Sequence, residues 1–215
     1  MKIIAIALAG GKSLRMGSDK ALLKIDGETL LARVCQVAAQ VAESLYVVVR
    51  SCEQYQAAIA DSENISMVLD QQLDGALVGF LQGLEAIAHA SNSPDWVLLL
   101  ACDLPNLDSE ILRSWATQLA DLPEDAIAYL PKYIAQDRQD QPANHLKSKQ
   151  WEPLCGFYRW GCQKSLREFV ENGGRSFQQW LNTQQVVEIL EVDPNILFNC
   201  NTLDELLSLK QQNWR

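Results

Sequence analysis

Leu8-Ala9-Gly10-Gly11-Lys12-Ser13-Leu14-Arg15-Met16-Gly17-Ser18-Asp19-Lys20 follows directly on the apolar run that begins at Lys2. A continuous apolar run of strand length, ending in two glycines, reads as a buried strand that feeds a tight loop. Paired glycines let the backbone come close to a phosphate and adopt positive φ. Successive backbone N–H groups in such a loop form an anion-binding nest. Lys12, Arg15, Lys20 and Lys24 surround the single acid Asp19, in a chain whose net charge is -9. That local reversal of sign points to an anionic ligand. A Walker loop, GxxxxGK[ST], does not fit: five residues separate Gly11 from Gly17, and Ser18 follows. The dinucleotide fingerprint GxGxxG is absent from this stretch.

Outward from this loop, strands and helices alternate. Thr29 to Glu43 places Leu30, Leu31, Val34, Val37, Ala38 and Val41 on one helical face. Leu45 to Val49 and Ser66 to Leu69 are predicted strands, and Ala76 to Ala90 is a predicted helix. Trp96 to Ala101 is a fourth strand; a helix capped by Asp108 or Ser109 follows to about Ala120. Ala126 to Leu130 is a fifth strand. Gln136 to Gln150 is polar and predicts a long loop. Gly161 to Glu171, Ser176 to Leu181 and Leu203 to Gln212 predict helices, and Val186 to Val192 a strand. Alternation of this kind predicts an α/β fold, with a mostly parallel sheet covered on both faces. Ligands in such sheets bind at the carboxyl ends of the strands. The loops after Leu8, Val49, Leu69 and Ala101 therefore share one functional edge.

Composition bounds the rest. The 215 residues suffice for one domain with a substantial core, and the 48% hydrophobic and 21% charged content is ordinary for a globular protein. An excess of 27 Asp+Glu over 18 Lys+Arg argues against broad nucleic-acid binding. No stretch reaches the roughly 18 apolar residues that read as a membrane span, and no secretory cleavage site follows the N-terminal run. The six cysteines form no CxxC pair, and with two histidines a zinc or redox reading is weak. Dispersed cysteines in apolar settings predict a reduced, cytoplasmic protein.

Leu98-Leu99-Leu100-Ala101-Cys102-Asp103-Leu104-Pro105 sets a carboxylate just past a buried strand. Beside a phosphate-bearing ligand, such an aspartate is a natural Mg²⁺ ligand, because Mg²⁺ takes one or two carboxylates plus phosphate oxygens. The bland alternative is a turn or helix-cap aspartate. Asp70 ends the third strand, where an ordinary strand-end aspartate is the competing reading.

The glycine loop resembles the signature L-A-G-G-x-S-x-R-M-G-x-D-K of the molybdenum cofactor guanylyltransferases and matches it throughout. Cys102-Asp103-Leu104-Pro105 is similar to the same family's C-D-x-P. Glu152 to Tyr158 is similar to its Q-P-L-x-G-L-Y, with Glu152 in place of Gln. Phe198-Asn199-Cys200-Asn201-Thr202 is similar to F-x-N-x-N-T, one residue shorter. Gly75-Ala76-Leu77-Val78-Gly79 aligns with G-P-L-A-G, with Ala76 in place of Pro, and Arg50 stands where some members have a base-contacting Asn.

The resemblance implies a three-layer α/β/α, Rossmann-like (GT-A-like) nucleotidyltransferase fold in a single domain, 1–215. Residues 1–130 would bind the nucleotide and 131–215 the acceptor. It implies transfer of GMP from GTP to molybdenum-loaded molybdopterin, with Mg²⁺ as cofactor. The backbone at Leu8, Ala9 and Gly10 would contact guanine, and Gly11 the phosphates. Arg15 and Lys20 would neutralise the triphosphate, and Asp103 would hold the metal. Asp70 would accept from guanine N–H groups or ribose hydroxyls, and Gly75 would open a helix beside the nucleotide. Arg50 would reach base or ribose, or else be a solvated arginine. Asn199, Asn201 and Arg175 would face the acceptor; capping of the last helix is the alternative for Asn201. Molybdenum-insertion proteins and apo-molybdoenzymes are the implied protein partners, with no nucleic acid and no membrane. Two rival readings remain at this point: a relative using CTP or another NTP with a different phosphate acceptor, and a non-catalytic GTP-binding maturation factor.

Overall fold

The computed structural model describes residues 1–9, 19–59, 64–91, 93–132 and 150–198. Gly10, Gly11, Lys12, Arg15, Asn199, Asn201, the polar loop up to residue 149 and the helix expected over Leu203 to Gln212 lie outside the described residues.

The elements, in chain order, are β1 (Ile3–Leu8), a 3-10 turn (Lys20–Leu22), β2 (Lys24–Ile25), β3 (Glu28–Thr29), α1 (Leu30–Ala39), β4 (Ser44–Val49) and α2 (Cys52–Gln56). There follow β5 (Ile65–Leu69), α3 (Ala76–His89), β6 (Trp96–Ala101), α4 (Ser109–Thr117), a 3-10 turn (Gln118–Asp121) and β7 (Ala128–Pro131). The last described elements are β8 (Cys155–Arg159), α5 (Cys162–Glu171), α6 (Phe177–Leu181) and β9 (Val186–Ile189).

One sheet of seven strands runs in the order β5-β4-β1-β6-β8-β7-β9. The pairs β5–β4, β4–β1, β1–β6 and β7–β9 are parallel, while β8 pairs antiparallel with both β6 and β7. The expected mostly parallel α/β fold is what the chain adopts. Alternate residues of β1 explain the three layers. Ile3, Ala5 and Ala7 join the core under α1 and α4, and Ile4 and Ile6 join the core under α3, α5 and α6. Burial on both faces is why the central strands read as unbroken apolar runs rather than alternating ones.

The helices form where the sequence supplies caps and stripes. Thr29 accepts from the Ala32 N–H at 3.1 Å, and Leu30, Leu31, Val34, Cys35 and Ala38 of α1 are buried. That helix stops at Ala39, four residues short of the expected end. Asp108 caps α4 through the Glu110 N–H at 2.7 Å. Behind α3, Phe80, Tyr158, Phe177 and Trp180 form an aromatic cluster with ring centroids 4.8 to 6.3 Å apart.

Three features were not expected from the sequence. Asp26 (φ 53°) and Gly27 (φ 88°) turn a small hairpin between β2 and β3, the Asp-Gly pair being a strong turn signal. Helix α2 follows β4. Strand β8 inserts between β6 and β7, in a segment read only as a motif. Gly156 is the residue that lets β8 sit there. A Cβ at this position would lie 2.7 Å from both the Tyr129 backbone oxygen and Leu130 Cδ2. Sheet backbone cannot swing aside, so Gly156→Ala is expected to cost about 1–3 kcal/mol of unfolding free energy. A lower urea midpoint at unchanged m-value would show it.

Candidate functional site

At the carboxyl ends of the central strands the chain encloses a cleft of about 630 Å³, within the range of roughly 300–1,000 Å³ typical of small-molecule sites. Leu8 and Ala9 at the end of β1, Val48 of β4, and Ala101, Cys102 and Asp103 at the end of β6 line it. So do Lys20 and Ala21 of the first 3-10 turn with its cap Asp19, Asp70, Leu73, Asp74 and Gly75 between β5 and α3, and Ala76 and Gly79 at the start of α3. From the second half of the chain come Leu154 and Arg175. Backbone bonds tie the strand ends together. The Ala9 N–H donates to Val48 O (2.9 Å), the Cys102 N–H to Leu8 O (3.3 Å) and the Asp70 N–H to Val49 O (2.7 Å). Every expected site residue within the described chain (Leu8, Ala9, Lys20, Asp70, Gly75, Asp103 and Arg175) lines this one cleft.

Lys20 and Asp103 meet across it, Lys20 Nζ lying 3.8 Å from Asp103 Oδ2, with both side chains about four-fifths buried at 20% and 22% exposure. Burial raises the Asp103 carboxyl above its ordinary range, and the Lys20 charge pulls it partly back. Among the described residues no group of three or more His, Cys, Asp and Glu converges. A cation here would therefore rest on Asp103 and on oxygens of the ligand. That donor set suits Mg²⁺, which keeps few protein carboxylates and relies on phosphates and water.

Asp19 sets the position of Lys20. Its Oδ1 accepts the Ala21 N–H at 3.1 Å, which caps the 3-10 turn that Lys20 begins. Its Oδ2 accepts from Arg50 Nη2 at 3.0 Å and Gln54 Nε2 at 3.3 Å, and it meets the Tyr55 hydroxyl. That hydroxyl also lies 3.1 Å from Ala9 O, so its single proton is shared between the two acceptors. Burial first, and Asp19 second, push the Tyr55 phenol up to about 12. Arg50 is thus neither a solvated arginine nor, among the described contacts, aimed at the cleft. It is anchored to the residue before Lys20 by the ion pair with Asp19.

Asp70 is only 8% exposed. Its Oδ1 accepts from Gln72 N (3.2 Å), Leu73 N (2.9 Å) and Gln82 Nε2 (2.7 Å). Gly75 opens α3 at φ 92°, ψ 173°, a conformation for which glycine is suited. Arg175 is paired with Asp74 at 2.5 Å through Nε, and its Nη1 donates to Val170 O (2.9 Å) and Gly174 O (2.7 Å). Sequence reasoning did not single out Asp19, Tyr55, Asp74 or Gln82 as site residues. Only Asp19 carried a signal, its place in the glycine-loop signature.

The family described as the MobA-like NTP transferase domain matches residues 5–187 of the chain. A probable molybdenum cofactor guanylyltransferase of Trichormus variabilis is 44% identical over 204 residues, covering 95% of this chain and 88% of the relative. A protein of the same description from Synechococcus elongatus is 39% identical over 205 residues, covering 94% and 95%. Among solved structures, molybdopterin-guanine dinucleotide biosynthesis protein A from Archaeoglobus fulgidus superposes with a TM-score of 0.71 at 19% identity, covering 98% of each chain. At that identity the likeness speaks for the fold alone.

Proposed function

This chain belongs to the MobA-like NTP transferase domain family, and on that premise we propose that it is a guanylyltransferase that moves GMP from GTP onto molybdenum-loaded molybdopterin. The products are molybdopterin guanine dinucleotide and pyrophosphate. The observation that carries the reading is the meeting of Lys20 and Asp103, with Asp70 alongside, in one cleft at the carboxyl ends of β1, β5 and β6.

The chemistry follows from those groups. An oxygen of the acceptor's terminal phosphate forms a bond to the GTP α-phosphorus. The bond from that phosphorus to the bridging oxygen breaks in line, and pyrophosphate leaves with the electron pair. The attacking oxygen is already ionised, so no side chain has to take a proton. Catalysis then rests on positioning and charge neutralisation. Lys20 lies in the cleft, close to where negative charge gathers on the triphosphate. Asp103 would hold Mg²⁺, which when bound polarises the α-phosphate and screens its repulsion of a second anion. Leu8 and Ala9 present backbone to the base, and Asp70 a carboxylate oxygen. Arg175 offers the acceptor phosphate a guanidinium that Asp74 already holds beside the cleft.

In this assignment residues 1–130 serve the nucleotide and 131–215 the acceptor. Gly10 is assigned to guanine with Leu8 and Ala9, Gly11 and Arg15 to the phosphates, and Asn199 and Asn201 to the acceptor. The reaction belongs in the cytoplasm, with molybdenum-insertion proteins upstream and apo-molybdoenzymes downstream. No described helix is long and apolar enough to cross a membrane.

Mass spectrometry after incubation with GTP, Mg²⁺ and molybdenum-loaded molybdopterin is expected to show the guanine dinucleotide. Pyrophosphate release compared across GTP, CTP, UTP and ATP is expected to favour GTP. A cytosine dinucleotide, or tight GTP binding with no product, would overturn the assignment.

A further inference from the structure

We infer that Gln82 is a positioning residue for nucleotide recognition: it locks Asp70 so that a single carboxylate oxygen, Oδ2, faces the nucleotide. The inference rests on the nucleotide reading above and deepens it. Gln82 lies on α3, one turn beyond Gly79, and is not among the residues that line the cleft. Its side-chain amide is used at both ends. Oε1 accepts the Gln71 N–H at 2.9 Å, and Nε2 donates to Asp70 Oδ1 at 2.7 Å. Because an amide has one accepting and one donating end, these two bonds fix its orientation. They also pin the turn after β5 to the side of α3.

The consequence falls on Asp70. Its Oδ1 already takes three donors, from Gln72 N, Leu73 N and Gln82 Nε2. A carboxylate oxygen has two lone pairs in its plane, so this oxygen has no capacity left for a ligand. Oδ2 accepts no hydrogen bond from the described residues. It lies 4.0 Å from the position a Cβ would take on Gly79, whose own bare face borders the cleft. A guanine edge that pairs with a carboxylate in the two-pronged manner needs both oxygens. Here one oxygen is spent inside the protein. The contact to the nucleotide is therefore made through Oδ2 alone, to a ribose hydroxyl or to the guanine 2-amino group. Without Gln82 the carboxylate loses its side-chain donor and the turn loses its tie to α3. Asp70 Oδ1 is then held only by the Gln72 and Leu73 N–H groups, and the energy of the contact is spread over a wider range of carboxylate orientations.

The test uses the full chain and direct binding of GTP, 2′-deoxy-GTP, 3′-deoxy-GTP and ITP, with steady-state kinetics alongside. Wild-type protein is expected to lose roughly tenfold in affinity for at least one of the three analogues, one lacking a donor that Oδ2 accepts. Gln82→Met, of similar length but with neither amide group, is expected to weaken GTP about tenfold. It should raise KM by the same factor, keep kcat at saturating GTP within about twofold, and erase that analogue penalty. Gln82→Glu keeps the acceptor for Gln71 but replaces the donor to Asp70 with a like charge. It is expected to be as weak as Gln82→Met or weaker at neutral pH and to recover towards wild type as the pH falls and the new carboxyl gains a proton. A merely structural role would lower the thermal midpoint and leave KM, analogue discrimination and this pH dependence unmoved; that result overturns the inference. An analogue penalty that persists undiminished in Gln82→Met also overturns it. Wild-type protein that binds no GTP would instead bring down the nucleotide reading, and this inference with it, so the two failures are distinguishable.

Discussion

Asp103→Asn is expected to reduce kcat by about 10³-fold or more, since it removes the carboxylate assigned to hold a cation that would supply several kcal/mol of charge stabilisation. Asparagine keeps the shape and one accepting oxygen but not the charge. Raising Mg²⁺ should restore little of the loss, and isothermal titration should show weaker metal binding in the presence of GTP. The fold is expected to survive, and the pKa shift supplies the reason. Burial raises the Asp103 carboxyl above its ordinary value, despite the opposing pull of Lys20. The native state therefore binds this proton more tightly than the unfolded chain does. Stability falls as pH rises through the window from the ordinary carboxylate pKa to the raised native one. Above that window the ionised Asp103 is a net cost to folding, which asparagine does not carry. The thermal midpoint of Asp103→Asn at neutral pH is expected to be unchanged or higher than wild type. Wild-type turnover in this variant would refute the metal role, and a large loss of stability would mean that the acid serves the fold instead.

Lys20→Met is expected to lower kcat by roughly 10²–10³-fold, the scale seen when one preorganised charge stabiliser is removed. A second effect follows from the 3.8 Å separation between Lys20 Nζ and Asp103 Oδ2. The lysine charge holds the Asp103 pKa below where burial alone would put it. Without that charge the carboxyl protonates at a higher pH. The acid limb of the pH–rate profile is therefore expected to move towards neutrality in Lys20→Met. Lys20→Arg keeps the charge and should return the limb towards its original position, with only partial recovery of kcat because the guanidinium is a different shape. An acid limb that stays in place in Lys20→Met would show that the two groups do not communicate. Since both variants act on one charge pair, the double variant should lose less than the product of the single losses.

Much of this site is legible in the order of residues alone. The apolar runs at β1, β4 and β6 announce buried strands, and the loops that follow them carry Lys20 and Asp103 to one edge. Residues at strand ends are placed by the strands themselves, so local sequence locates them. The same holds for Gly75 at the head of α3. Boundaries are less legible: α1 ends at Ala39 rather than near Glu43, although the apolar Val41 and Ala42 continue the pattern. The 3-10 turn after α4 begins where a longer helix was expected, at Gln118.

By itself, the sequence determined the layered α/β architecture, the glycine-rich signature after β1 and the placing of Lys20 and an acid past β6 on one edge. Those features rest on hydrophobic period, glycine and charge, all of which act over a few neighbouring residues. Only tertiary structure decided the antiparallel insertion of β8, the anchoring of Arg50 to Asp19 across 31 positions and the joining of Arg175 to Asp74 across 101. It also decided which oxygen of Asp70 is taken up by hydrogen bonds within the protein. Such contacts depend on how distant segments are folded together, and no local pattern of residue types encodes which side chain will stand opposite another.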